Sequence, residues 1–392
     1  MSTSTILRRF GAFLAIAAAA ARVAGGTDAA PAAEAAPKAT ALDPALRRSV
    51  EAAMDKGLAW LKENQKENGA WSNENYPAMT AMGLWAAAPC DKPGLAAMRA
   101  RAAEYVAGFA QPDGGIYKPA TGGRGSGGLS TYNTAICMTA LHALDRNKYA
   151  PLILKAREFV AGAQLQGDSP GAGGFGYERA GASPRDRADL SHTGWALMAM
   201  RRTEDMEDWR PKDATRVDVD WAAAVRFAEP LQGRDAADPA NFGGFGYERG
   251  GERGGADVNP RGVVALSTFG SMTYAGLESM IYARLERDDP RVVSAIEWAA
   301  RHWSVDENPG MGSKGLYYYY TIMAKALRLS GRGELRGEGG RTIPWRRDLL
   351  SRIVALQKPD GSWSNADNTF WEGDPALVTA YALLTIGHAL GE

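Results

Sequence analysis

Six times along this chain an apolar stretch of helical length carries a threonine near its start and a small residue three places later. The stretches are YPAMTAMGLWAA, YNTAICMTALHAL, LSHTGWALMAM, GSMTYAGLESM, YYYYTIMAKAL and ALVTAYALLTI. In register they hold Thr80, Thr134, Thr193, Thr273, Thr321 and Thr379, then Gly83, Cys137, Ala196, Gly276, Ala324 and Ala382. A self-similar unit running through the chain dictates the architecture before any single element is read. Each stretch follows a helix of another kind, such as VEAAMDKGLAWLKENQ or ILKAREFVAGAQLQ, with apolar residues at spacings of three and four and charges on the other face. The first kind is covered on all sides and the second is half exposed. An inner ring of six helices wrapped by an outer ring of six meets both demands. The expectation is therefore an all-α fold, an (α/α)6 toroid of six helical hairpins over residues 44–392. An open solenoid would need polar terminal repeats, yet the last inner stretch, ALVTAYALLTIGHAL, is as apolar as the middle ones. The small residue is read as the allowance for close contact between inner helices.

Between outer and inner helices lies a second recurrent phrase. GGFGYER at Gly173–Arg179 recurs letter for letter at Gly243–Arg249. The same place holds Asn68-Gly69-Ala70-Trp71, Asp113-Gly114-Gly115-Ile116-Tyr117 and Asp360-Gly361-Ser362-Trp363. Glycine takes the positive φ that ends a helix and reverses the chain, and the bulky residue after it plugs the gap between hairpins. This reads as structural punctuation. A phosphate-cradling loop would need a strand before it, and none is expected.

The start of the chain reads as an export signal. Arg8 and Arg9 precede an apolar stretch from Phe10 to Ala21, closed by Arg22 and a small-residue site at Ala24-Gly25-Gly26. That stretch is too short to span a bilayer. Residues 1–26 are thus expected to be a signal peptide and 27–43 an Ala- and Pro-rich linker, with the mature protein periplasmic or extracellular and no transmembrane segment. Lys+Arg and Asp+Glu both number 45, so the electrostatic footprint of a nucleic-acid binder is missing. Two cysteines, Cys90 and Cys137, are offset by about 10 Å of helical rise relative to their threonines, beyond the reach of a disulfide.

KGLAWLKENQKENGAW, Lys56 to Trp71, and LLSRIVALQKPDGSW, Leu349 to Trp363, resemble the QW repeats of squalene and hopene cyclases. From about Pro44 onward the pattern is similar to the α/α toroid of terpenoid cyclases, protein prenyltransferase β subunits and the complement thioester domain. The resemblance implies that fold and a ligand in or at the central cavity. It does not bring the chemistry with it. The cyclases' Asp-x-Asp-Asp acid motif is absent, since Asp218-Val219-Asp220-Trp221 breaks at its last place. Asp189-Leu190-Ser191-His192-Thr193 resembles the prenyltransferases' histidine-bearing zinc element, but Asn133 and Thr131 stand where its partners would be sought. Cys90 and Cys137 are followed by Asp91 and Met138, so the thioester motif is missing too.

In such toroids the N-terminal ends of the inner helices surround one mouth, where free N–H groups and helix dipoles gather. The repeat register places Tyr132, Asn133, Asp189, His192, Tyr319, Tyr320, Trp371, Glu372 and Asp374 there. Asp189 and His192 stand at i, i+3, a spacing suited to a carboxylate-oriented general base, or to a helix cap with a packed histidine beside it. Glu372 and Asp374 could pair as in glycoside hydrolases, although Asp374 before Pro375 is also a favoured cap. One or two of the tyrosines at 317–320 should line the cavity. Two functions stand: a monomeric binding toroid for a hydrophobic or carbohydrate ligand or a protein partner, with no cofactor or metal, and an exported enzyme acting on a terpenoid or polysaccharide.

Overall fold

Twelve α-helices alternate between two concentric layers in the computed structural model, which describes residues 42–122, 126–179, 187–248 and 267–391. The outer helices are α1 (Pro44–Glu63), α3 (Leu95–Ala107), α5 (Ala150–Ala161), α7 (Trp221–Ala228), α9 (Pro290–Arg301) and α11 (Trp345–Ala355). The inner ones are α2 (Pro77–Ala87), α4 (Ser130–Asp145), α6 (Leu190–Arg202), α8 (Gly270–Tyr282), α10 (Leu316–Leu329) and α12 (Pro375–Leu390). Each inner helix packs on the next, and α12 packs on α2, so the inner ring closes; α11 against α1 closes the outer ring. The strands among the described residues are β1 (Leu335–Arg336) and β2 (Thr342–Ile343), a short antiparallel hairpin on the rim. No disulfide joins Cys90 and Cys137. The segments expected to be leader and linker lie outside the described residues, apart from Leu42 and Asp43, which opens α1 as its N-cap.

The turn glycines show why the phrase recurs. Gly69, Gly114, Gly173, Gly243 and Gly361 have φ between 87° and 91°. Each faces a backbone carbonyl of the next outer helix: a Cβ on Gly173 would lie 2.1 Å from Ala223 O, and one on Gly361 2.8 Å from Lys56 O. The second case joins the sixth repeat to the first. A glutamine stitches the same junction. Gln65 Nε2 donates to Gly69 O and Met98 O, Gln164 to Gly173 O and Asp220 O, Gln232 to Gly243 O and Arg291 O, and Gln357 to Gly361 O and Ala53 O.

The recurrent threonine is a pin. The backbone N–H groups of Trp71, Ile116, Phe175, Phe245 and Trp363, the plugs after each turn, donate to the hydroxyls of Thr80, Thr134, Thr193, Thr273 and Thr379 at 2.9–3.1 Å. The small residue serves the plug as well. A Cβ on Gly276 would lie 2.4 Å from the Phe245 ring, and one on Gly83 3.0 Å from Trp71. At these two repeats the small residue makes room for the plug, which differs from the expected contact between inner helices. The fifth repeat has no such plug, and Thr321 bonds instead to Tyr317 O, Tyr381 O and Thr385 Oγ1.

Candidate functional site at the toroid mouth

The first residues of the inner helices gather at one end, where the helix starts are capped across repeats. Asn133 Oδ1 accepts from Ala78 N at 3.0 Å, Glu178 from Leu129 N and Ser130 N at 2.5 and 3.0 Å, Asn308 Oδ1 from Ser271 N at 2.9 Å, and Glu372 Oε1 from Tyr318 N at 2.8 Å. A side chain of one repeat thus satisfies the free N–H groups of the repeat before it. Two inner helices are capped by their own N-cap residue: Asp189 caps α6 through His192 N at 2.9 Å, and Asp374 caps α12 through Ala376 N at 2.8 Å.

The Asp189 cap is also half of a dyad. His192 Nδ1 lies 2.8 Å from both oxygens of Asp189, and both residues are buried. With Nδ1–H donating to the carboxylate, the ring is oriented and Nε2 carries the lone pair. Nε2 has no hydrogen-bond partner among the described residues. Around the dyad stand two tyrosines from the duplicated phrase. The Tyr177 ring lies 3.7 Å from that of His192, centroid to centroid, and its hydroxyl is 3.3 Å from that of Tyr247. Burial raises the Tyr247 phenol far above its usual value, and the charge of Asp189 adds to the rise. Tyr247 therefore stays a neutral hydroxyl at any physiological pH.

Below the dyad the rings form a floor. Tyr132 contacts His192 at 5.5 Å and Trp195 at 6.4 Å; Trp195 meets Tyr318 at 6.3 Å, and Tyr318 meets Tyr381 at 6.3 Å. The Tyr318 hydroxyl is 2.8 Å from Ser191 Oγ. Burial raises the Tyr132 phenol as well, opposed by a hydrogen bond with Tyr381. Trp371 sits on the rim with its ring 5.4 Å from Tyr76, and its φ of 66° is the left-handed region that a bulky residue rarely adopts.

Several expected positions are occupied otherwise. Tyr319 and Tyr320 do not line the mouth: both are buried between helices, with hydroxyls donating to Ser304 O and Val305 O. The reason is register. Thr321 is the sixth residue of α10 whereas Thr193 is the fourth of α6, so Tyr318 takes the place corresponding to His192. Asn133 is spent on capping and on the carbonyls of Gly128 and Leu129. Asp374 caps α12 and accepts from Ser72 Oγ, while Glu372 holds the start of α10 and accepts from Asn365 Nδ2. Burial raises the Glu372 carboxyl above its usual range, against the hydrogen bonds that it accepts. All four oxygens of this pair have protein donors, so it is not an open carboxylate pair of the glycoside-cleaving kind. No group of three His, Cys, Asp or Glu side chains converges as a metal site among the described residues.

Sequence reasoning missed Trp195, Tyr381, Tyr177 and Tyr247 as members of the site, and held Tyr318 only within the run of tyrosines at 317–320. The signal for Tyr177 and Tyr247 was present, because only the glycine and phenylalanine of GGFGYER are needed for the turn.

Similarity of this architecture to solved structures is extensive. A type II terpene cyclase, MstE from Scytonema, in complex with geranylgeranyl dihydroxybenzoate, superposes with a TM-score of 0.52 at 11% identity, covering 89% of this chain and 99% of that one. The unsubstituted cyclase without ligand gives 0.50 at 12% identity over 86% and 97%. A protein described as a wild-type glycosidase gives 0.51 at 12% identity over 90% and 99%. The chain has the α/α-toroid fold. No family model matches the sequence and no curated protein is similar to it. At these identities the toroid likeness concerns the fold alone. Among the described residues no helix of the toroid is long and apolar enough to cross a membrane.

Proposed function

We propose that this toroid binds a small, hydroxyl-bearing ring at its tyrosine-lined mouth, without the acid motif or zinc set of the cyclases and prenyltransferases. The observation that carries the reading is the layering along the axis. Above lie Tyr177, Tyr247, Tyr132 and Tyr318, which offer ring faces together with hydroxyls; beneath them Trp195 and the buried ion pair of Lys325 and Glu278, 3.1 Å apart, fill the barrel. A long isoprenoid chain laid down the axis would meet that charged pair, whereas a sugar or phenolic ring at the mouth would meet stacking faces and donors. The MstE complex holds a prenylated dihydroxybenzoate, whose aromatic end is of this chemical kind, and the glycosidase neighbour keeps carbohydrate within the reading. In this proposal residues 1–26 direct export, 27–43 tether, and a monomeric body from residue 44 onward does the binding outside the cytoplasm. Calorimetric titration with monosaccharides, disaccharides, dihydroxybenzoate and its geranylgeranyl derivative tests it. Binding of a ring ligand that Tyr132→Ala and Tyr318→Ala abolish is expected; binding that depends on chain length and survives both substitutions would overturn it.

A second reading, an enzyme at the same mouth, is favoured by the dyad. His192 is oriented by Asp189 through Nδ1 and would use Nε2 as a general base toward a ligand hydroxyl. His192→Gln with unchanged melting temperature and ligand affinity but no turnover is the outcome for an enzyme. Unchanged behaviour throughout leaves the binding reading alone.

A further inference from the structure

At the C-terminal ends of the inner helices, opposite the mouth, the axis holds a second cluster. His388 of α12 is 3% exposed, and neither of its ring nitrogens has a hydrogen-bond partner. Buried imidazole nitrogens are nearly always paired, so an unpaired ring N–H points to a group that belongs beside it. The neighbours are cationic. Lys325 is 2% exposed, with Nζ 4.3 Å from the Trp195 ring; Arg202 lies 5.0 Å from the Trp85 ring, which meets His388 at 5.7 Å. Burial, then the charges of Arg202, Lys325 and Arg328, push the His388 imidazole well below its usual value, so it is neutral and offers one N–H. Among the described residues, Glu278 pairs with Lys325 at 3.1 Å.

We infer that this cluster is a binding site for a small anion, of the size of chloride or formate, held by the His388 N–H and the charges of Arg202 and Lys325. Helix dipoles do not explain the cations by themselves. Arg328 donates to Gly391 O and so serves the end of α12, but Lys325 lies a full turn inside α10 and bonds to no helix-end carbonyl. An anion there would accept the ring's one N–H and offset the Arg202 charge in a setting of low dielectric. Arg202 and Arg328 are half-buried, so entry is from the solvent side of that end. The inference is independent of what the mouth binds.

The test uses the full chain at constant ionic strength, with sodium gluconate as a reference anion too large for the site. Chloride, bromide and formate should each raise the melting temperature by a few degrees over gluconate, saturating with concentration, and His388→Phe should lose the increment. Equal melting temperatures in all four salts, or the same increment in His388→Phe, would overturn the site. Should His388→Phe fail to fold, crystals of the unsubstituted protein soaked in bromide decide. An anomalous peak within hydrogen-bond distance of His388 supports the inference, and peaks confined to the surface refute it.

Discussion

The hydroxyls of Tyr177 and Tyr247 meet at 3.3 Å, although the two residues stand seventy positions apart in the chain. They are the same letter of the same repeated phrase, carried by neighbouring repeats to either side of the His192–Asp189 dyad. Glycine and phenylalanine in that phrase build the turn, and tyrosine builds the mouth. Replacing either tyrosine with Phe keeps the ring and removes one hydroxyl. Tyr247→Phe should weaken a mouth ligand by about tenfold, the worth of one hydrogen bond near 1.4 kcal/mol, with the melting temperature almost unchanged. Titration calorimetry and a melt on each variant check this, and equal affinity in both variants would detach the pair from binding.

The turn glycines allow a cleaner separation of strain from contact. Gly167 and Gly173 have nearly the same φ, 89° and 87°, but a Cβ meets nothing within 4 Å at Gly167 and Ala223 O at 2.1 Å at Gly173. Gly167→Ala should therefore cost only the left-handed penalty, roughly 1–2 kcal/mol. Gly173→Ala must in addition push α7 away and should cost at least twice as much. Urea unfolding of the two variants measures the difference, and similar losses would show that the outer helices yield freely.

The ring architecture was legible because its cause is local and repeated: each repeat must pin a plug with a threonine and turn on a glycine. Positions at the mouth were less so. The alignment on Thr321 was two residues out relative to the helix start, since without a plug that threonine has no partner to set its register. This turned attention to Tyr319 and Tyr320 and away from Tyr318. Glu372 and Asn133 look like site residues in sequence because they are polar at a mouth, but the helix N–H groups of the preceding repeat claim them first. His192 and Asp189 could be singled out together, since their i, i+3 spacing survives whatever the neighbouring repeats do.

Acid should act through a second buried network. Arg157 is 1% exposed and bonds to Glu207 Oε1 at 2.6 Å, to Met200 O, to Thr203 Oγ1 and to Val217 O. Burial pushes the Glu207 carboxyl up, but hydrogen bonds from Arg210, Val217 N–H and Arg157 outweigh it and hold it below the usual 4.5. A carboxyl with a lowered folded value contributes stability that is full above its unfolded value, and that is lost as pH falls through the folded one. Glu207→Gln should therefore cost about 3–5 kcal/mol at neutral pH, the penalty for stranding a buried partner. Its stability should then fall less steeply than that of the unsubstituted protein below about pH 4.5. Denaturant titrations across that range test both, and parallel acid limbs would exclude Glu207 as the titrating group.

Closure of the ring is the last property that can be weighed. Gln357 Nε2 bridges Gly361 O at 2.9 Å and Ala53 O at 2.8 Å, joining the sixth repeat to α1 across 304 positions of sequence. Gln232 makes the equivalent bridge within the body, to Gly243 O at 3.2 Å and Arg291 O at 2.8 Å. If the closing junction is held as firmly as an internal one, Gln357→Leu and Gln232→Leu remove the equivalent bridge, Gln232 losing in addition a bond to Ser294 Oγ at 3.1 Å, and should each cost about 1–3 kcal/mol. Both variants should still unfold in one transition, because a closed ring has no end from which to fray. In an open solenoid the sequence-distant junction would be the weak one. Gln357→Leu would then either be silent or split unfolding into two steps, with the first and sixth repeats melting ahead of the rest. Calorimetry of the two variants side by side distinguishes the cases, with Gln232→Leu as the internal standard for a junction whose two sides are covalently close.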